Sequence, residues 1–307
     1  MRSRVLACLA AAVSAAALLT SPAAATPQHH RGCAAPPPQD PGTSALQTIE
    51  SGGLQRTYQL HLPADYRTKR DWPLIVVYHG RGNTGVGTEE FSGLSSLPAV
   101  VAYPNGVIGT GDGDRQAWQG APYSAPGVDD VAFTNDLLDE LERTLCVDDR
   151  RVYATGKSNG AGFVGILGCV LADRIAAIAP VAGAFYPNGI DCRPSRPMPV
   201  IDFHGTADAT IPYTGDADRG LPAIKDWVSA WADRNRCLVE LPDVTIKPDV
   251  TIAWQLGCRR GADVVHVAVT GGGHTWPGAD SYSGGGYTTQ TIEASEVLWQ
   301  FVRRYSL

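Results

Sequence analysis

Ser158 lies in the run Gly156-Lys157-Ser158-Asn159-Gly160. Before it comes the strand-like Arg151-Val152-Tyr153-Ala154-Thr155, and after it a small-residue, helix-like run from Ala161 to Leu167. A Gly-x-Ser-x-Gly at a sharp strand-to-helix turn lifts the serine hydroxyl clear of the sheet and presents it as a nucleophile. A side chain at either glycine would collide with the neighbouring strand or helix. Such a serine needs a base to take its proton and an acid to orient that base, and in this setting the chain order is serine, acid, histidine. The chemistry implied is acyl transfer through a covalent intermediate.

The acid is expected just beyond a later buried strand. Pro199-Val200-Ile201-Asp202-Phe203-His204-Gly205-Thr206-Ala207-Asp208 offers one, with Asp208 past the strand end and Asp202 inside the strand as a structural residue. Asp216 and Asp218 are later alternatives in a Gly-rich loop. The base is expected after the last strand, where Val264 to Thr270 leads into Gly271-Gly272-Gly273-His274-Thr275-Trp276-Pro277-Gly278. His274, in a loop among glycines, fits the base; His266, inside the strand, reads as structural. An oxyanion hole needs two backbone N–H groups aimed at developing charge. Asn159, next to the nucleophile, supplies one, and the loop Tyr78-His79-Gly80-Arg81-Gly82 the other, assigned to Arg81 ahead of Gly82.

These groups require strands to carry them. Pro73 to Tyr78 and Ala99 to Tyr103 are continuous apolar runs, the pattern of strands buried on both faces. Arg56 to Leu62 alternates like a half-buried strand. Ile175–Val181, Pro199–Phe203, Val250–Leu256 and Val264–Val269 read as further strands. Helices are predicted from Asp129 to about Leu145, through the elbow to about Ala172, over Pro222–Arg234 and over Thr289–Arg304. Strands alternating with helices predict an α/β fold, a mostly parallel central sheet with helices on both faces. Ligands then bind outside the carboxyl ends of the strands.

The N-terminus reads as a signal peptide over residues 1–25: Arg2 and Arg4, an apolar stretch from Val5 to Leu19, then small residues ending near Ala25. Residues 26–44 read as an N-terminal tail and residues 45–307 as a single catalytic domain. Without residues 1–25 the chain holds 23 basic and 31 acidic residues, a net of −8. No basic stripe points to nucleic acid or an anionic membrane surface. Six cysteines remain, namely Cys33, Cys146, Cys169, Cys192, Cys237 and Cys258, an even number that in an exported chain implies three disulfides. Their pairing is open among about 15 connectivities. No metal site and no cofactor are expected, and the protein should be a secreted, extracellular monomer.

Tyr78-His79-Gly80-Arg81-Gly82-Asn83, the elbow from Thr155 to Phe163, His204-Gly205-Thr206-Ala207-Asp208 and Gly272-Gly273-His274-Thr275-Trp276-Pro277-Gly278 together resemble the secreted feruloyl esterase and polyhydroxybutyrate depolymerase family. The resemblance runs from about Arg56 to Arg304 and implies an α/β-hydrolase fold. Arg151 to Phe163 and Pro180 to Tyr186 look closest to the feruloyl esterase branch. Polyester-cleaving relatives often have Cys where this chain has Arg81, which also favours that branch. The resemblance further implies a Cys237–Cys258 disulfide. It makes the expected substrate a small phenolic or polysaccharide-linked ester, with acetylxylan esterase and short-chain polyester depolymerase as alternatives. A secreted binding protein with a silent triad is the non-enzymatic alternative. The loops predicted to border the site carry Trp118, Tyr123, Tyr213, Trp276, Tyr282 and Tyr287. Trp276, Trp118 and Tyr213 are the candidates for stacking on substrate. The segments 105–127 and 276–288 are Gly-rich and polar, so no large lid is expected.

Overall fold

The apolar runs lie side by side as the centre of one large sheet in the computed structural model, which describes residues 31–307 apart from Asp112 and Asn188. The segment expected to be a signal peptide lies outside the described residues. A hairpin of Ser44–Ser51 (β1) and Leu54–His61 (β2) comes first. Trp72–Tyr78 (β3), the helix Gly85–Ser92 (α1) and Val100–Pro104 (β4) follow. Val107–Ile108 (β5) and Gln116–Ala117 (β6) pair only with each other. Then come Asp130–Thr144 (α2), Val147–Lys157 (β7), Asn159–Val170 (α3), Ala177–Val181 (β8) and Val200–Gly205 (β9). The remainder is Ile224–Asn235 (α4), Val239–Glu240 (β10), Val244–Lys247 (β11), Val250–Leu256 (β12), Val264–Val269 (β13) and Ala294–Val302 (α5).

The strand order is β1-β2-β4-β3-β7-β8-β9-β13-β12-β10, with β11 also on β12. From β4 to β13 every neighbouring pair is parallel, and the strands at both edges are antiparallel. Side chains alternate faces along a strand. Leu74, Val76 and Tyr78 of β3 join the core beneath α2, α3 and α4. Ile75 and Val77 join the core beneath α1 and α5. Each central strand is therefore covered on both sides, which is why its sequence is apolar without interruption. The helix predicted from Asp129 forms where its spacing puts it. Asp129 caps it by accepting from the Ala132 N–H, and Phe133, Leu137, Leu138 and Leu141 are buried.

One consequence of the parallel centre matters for function. β3, β7, β9 and β13 all end at the same edge of the sheet. Their following loops hold Gly80–Asn83, Ser158, Asp208 and His274 respectively, residues separated by as much as nearly two thirds of the chain.

The six cysteines among the described residues all pair: Cys33–Cys146, Cys169–Cys192 and Cys237–Cys258. The first fastens the segment before β1 to the start of β7 across a separation of 113 residues, whereas the last spans 21. Loop-closure entropy grows with the logarithm of loop length, which makes the longer cross-link worth about 1.5 kcal/mol more. Replacing Cys33 and Cys146 with Ser should lower the unfolding free energy by about 4–5 kcal/mol, more than the same change at Cys237 and Cys258. Denaturant unfolding of the two double variants checks the order.

Candidate active site

β7 runs through the middle of the sheet and stops at Lys157; α3 begins at Asn159. Ser158 alone makes the turn, with φ 56° and ψ −119°, a backbone state L-residues rarely hold. Its neighbours fix it there. The Ser158 N–H donates to Val181 O at 3.0 Å, and Ser158 O accepts from the N–H groups of Gly162 and Ala184 at 2.9 and 3.0 Å. The turn is this tight because the backbones touch. A Cβ on Gly160 would lie 2.2 Å from Tyr78 O, and one on Gly156 2.6 Å from the same atom.

Asp208 and His274 meet behind this turn. Nδ1 of His274 lies 2.7 Å from Oδ2 of Asp208. Oδ1 of Asp208 accepts from the N–H groups of Thr210 and Ile211, each at 2.8 Å. The His274 N–H in turn donates to Gly285 O at 2.7 Å, seating the histidine loop on the Gly284–Gly286 stretch. Asp216 and Asp218 do not reach the histidine: Asp216 faces Arg219, and Asp218 is exposed. Asp202 pairs with His266 at 2.8 Å inside the sheet.

A further histidine, His204, supports the acid. Its Nε2 donates to Ile211 O at 2.9 Å and sits 3.4 Å from Asp208 Oδ2. It lies inside β9, where sequence position alone does not show that it faces the carboxylate. Burial works against ionising Asp208, but the hydrogen bonds from His204 and His274 hold its pKa far below the usual carboxylate range. Asp208 is therefore charged at any ordinary pH. Burial, assisted by the Lys157 and His204 charges, lowers the His274 pKa, while Asp208 opposes the shift.

The sign of that shift gives a testable expectation. A histidine serving as base must be neutral, and a lowered pKa would let His274 serve below the 6.5 of an ordinary histidine. The acid limb of kcat/KM should therefore fall below that value, and Lys157→Met, which removes one of the repelling charges, should move it upward. A pH–rate profile of both proteins is the check; an acid limb above 6.5 in the unaltered protein would contradict the sign.

Among the described residues the Ser158 hydroxyl makes no hydrogen bond within the chain, and Ser158 and His274 line one cavity of about 830 Å³. Such bonds are often long before a ligand arrives and tighten with it. The backbone donors of the same cavity are distinguishable. Gly82 spends its N–H on Gln116 O at 2.8 Å, and Asn83 spends its own on Gly80 O at 3.0 Å. The N–H groups of Arg81 and Asn159 have no backbone partner among the described residues. Two side chains stiffen this arrangement. Asn159 Oδ1 accepts from the Trp118 N–H at 2.8 Å. His79 is fully buried, bonded through Nδ1 to Gly80 O and through Nε2 to the Gly106 N–H. Burial pushes its pKa down to about 4, so it stays neutral.

The aromatic expectations need correction. Trp118 is fully buried, stacked with Phe163 and Phe133, and its Nε1–H donates to His79 O at 3.0 Å. Trp276 is 1% exposed, packs against Phe91 and donates to Ser295 Oγ. Tyr213 spends its hydroxyl on His266 at 2.7 Å. The first two are drawn into the apolar layers beneath their glycine loops, where a large ring gains most from leaving water. The rings that do line the cavity are Tyr123, Tyr186 and Tyr282.

No family model matches the chain. It is 30% identical over 259 residues to feruloyl esterase B of Piromyces equi, an alignment covering 80% of this chain and 44% of that one. It is 30% identical over 266 residues to the putative esterase NocK of Nocardia uniformis subsp. tsuyamanensis, covering 77% and 75% respectively. Among solved structures, an acetyl xylan esterase from Aspergillus awamori superposes with a TM-score of 0.55 at 16% identity, covering 75% of this chain and 94% of that one. The chain thus spans less than half the length of the Piromyces equi protein, and its architecture is the α/β-hydrolase fold.

Proposed function

Because the chain belongs to the feruloyl esterase-like family of carboxylic ester hydrolases, we propose that it is a secreted serine esterase that cleaves hydroxycinnamoyl esters of plant cell-wall polysaccharide. The observation that carries the reading is the Asp208–His274 bond of 2.7 Å bordering the cavity into which the strained Ser158 turn opens. In the reaction His274 Nε2 takes the Ser158 proton as Oγ attacks the ester carbonyl. Asp208 holds the imidazole with its proton on Nδ1 and stabilises the imidazolium. The free N–H groups of Arg81 and Asn159 receive the oxyanion; one such donor is worth about 3 kcal/mol to the transition state. His274 then gives its proton to the departing alcohol, and water, activated by the same base, releases the acid. Three disulfides suit export to an oxidising compartment, and no helix among the described residues is long and apolar enough to cross a membrane.

The substrate half of the proposal is tested by a hydrolysis panel of methyl ferulate, an aryl acetate, acetylated xylan and a hydroxybutyrate oligomer. Methyl ferulate should have the highest kcat/KM of the four. Preference for acetylated xylan or the oligomer would replace the hydroxycinnamoyl assignment and leave the serine chemistry in place.

A further inference from the structure

The chain carries a net charge of −6, yet its catalytic-site cavity is lined by four cationic side chains, Arg81, Arg115, Lys157 and Arg219, against one carboxylate, Glu90. Of these, Lys157 is the residue before the nucleophile. It is only 5% exposed, and among the described residues no hydrogen bond or ion pair reaches its ammonium. A charge on so buried a side chain is poorly solvated, which is costly without a close counter-ion. Asp208 is close enough to act on it through space, but that carboxylate is already met by Thr210, Ile211, His204 and His274. Lys157 therefore lines the cavity with no hydrogen-bonded counter-ion of its own among the described residues.

The arginines are arranged in the same sense. Arg81 lays its guanidinium over the Tyr123 ring at 4.3 Å, and its buried Nε has no partner. Arg219 is braced by Thr210 O at 2.7 Å and by the Tyr186 hydroxyl at 2.8 Å, with the Asp216 carboxylate at 3.6 Å. Arg115 is exposed, with no side-chain partner among the described residues. A neutral phenolic ester offers these groups hydrogen-bond acceptors but no opposite charge. Cations gathered in a low-dielectric cleft raise the local concentration of anions and select for them.

Resting on the esterase reading above, we propose that the preferred substrate is an ester bearing a carboxylate within reach of the cleft. In cell-wall polysaccharide the group with that chemistry is a uronic acid; the same chemistry on the acyl half would be a dicarboxylic half-ester. Two matched pairs distinguish the sides. 4-Acetoxybenzoate against 4-acetoxybenzamide places the charge on the alcohol half, and 4-nitrophenyl hemisuccinate against 4-nitrophenyl butyrate places it on the acyl half.

At low salt and neutral pH, the anionic member of at least one pair should be favoured in kcat/KM by about tenfold, the equivalent of about 1.4 kcal/mol. High salt should cut that ratio several-fold, because the arginines at the rim are screened. Arg115→Gln should cut it too, and Lys157→Met should bring it towards unity. Arg115 is exposed, so its variant keeps the test open even where Lys157→Met fails to fold. Equal rates or a preference for the neutral member in both pairs, unmoved by salt, would overturn the proposal and leave the esterase intact. No turnover of any of the four, with Ser158 inert to a phosphonate, would overturn the esterase reading and this one with it.

Discussion

Ser158→Ala is expected to lower kcat/KM on an aryl acetate by about 10⁵-fold or more while leaving the thermal midpoint nearly unchanged. The size follows from what is lost: without Oγ there is no acyl-enzyme, and only the oxyanion donors and binding remain to accelerate attack by water. The stability half is less obvious and more specific to this chain. Ser158 holds φ 56°, and alanine has the same Cβ, so the backbone penalty is carried over unchanged. The hydroxyl makes no hydrogen bond among the described residues, so its removal leaves no buried donor or acceptor stranded. The turn itself is held by backbone bonds to Val181, Gly162 and Ala184, which the substitution does not touch. Steady-state kinetics alongside differential scanning calorimetry measures both halves. Retained turnover would remove Ser158 from the chemistry, and a large stability loss would mean that the hydroxyl has a structural partner.

Asp208→Asn should cost about 10⁴-fold in kcat. The amide can keep its oxygen towards the Thr210 and Ile211 N–H groups, which both bond to Oδ1, so the loop is expected to hold. The other atom of the side chain then becomes an NH₂ facing His274 Nδ1. Two donors cannot share that 2.7 Å contact, so the imidazole moves its proton to Nε2, where it can no longer accept one from the serine. His204 Nε2 loses its charged neighbour in the same step but keeps Ile211 O. The control is Asp218→Asn, an exposed residue of the next loop, which should stay within about twofold of the unaltered protein. Comparable losses in both variants would show that the carboxylate at 208 has no special part in the reaction.

Much of this arrangement is legible in the sequence because parallel strands and their loops leave strong local signals. β3 reads as Trp-Pro-Leu-Ile-Val-Val-Tyr, with both faces apolar, and β7 runs straight into the Gly-x-Ser-x-Gly turn. The acid and the histidine each follow a buried strand, so position along the chain maps directly to position along one sheet edge. Elements with weaker signals were not readable. β1 is an edge strand with one face exposed and the sequence Ser-Ala-Leu-Gln-Thr-Ile-Glu-Ser, and the stretch before it reads as a tail. α1, Gly-Val-Gly-Thr-Glu-Glu-Phe-Ser, has too few apolar residues to show a helical period. α5 starts at Ala294 rather than Thr289, because Thr289 and Thr291 bond to each other and Thr291 also to Asp249.

The site shows the same division. Residue type and order point to the proposed serine, acid and base, but not to the surroundings that tune them. Whether a loop aromatic faces substrate or core depends on what lies beneath the loop. Trp118 and Trp276 are therefore indistinguishable from Tyr123 and Tyr282 in sequence, although only the tyrosines border the cavity. Lys157 occupies a variable position of the nucleophile motif, and nothing local reveals that its side chain is buried. The sequence puts the proposed second oxyanion donor at Arg81 ahead of Gly82, but not the reason Gly82 is occupied, a pairing of its N–H with Gln116 O in a distant segment.

The most direct measurement is reaction of the folded protein with a fluorophosphonate, followed by mass mapping of the adduct. The account predicts one stoichiometric phosphonyl group on the Ser158 oxygen, formed more slowly as pH falls through the acid limb set by His274 and strongly suppressed in Asp208→Asn. A folded protein in which Ser158 stays unmodified while other hydroxyls react, or none do, would contradict it.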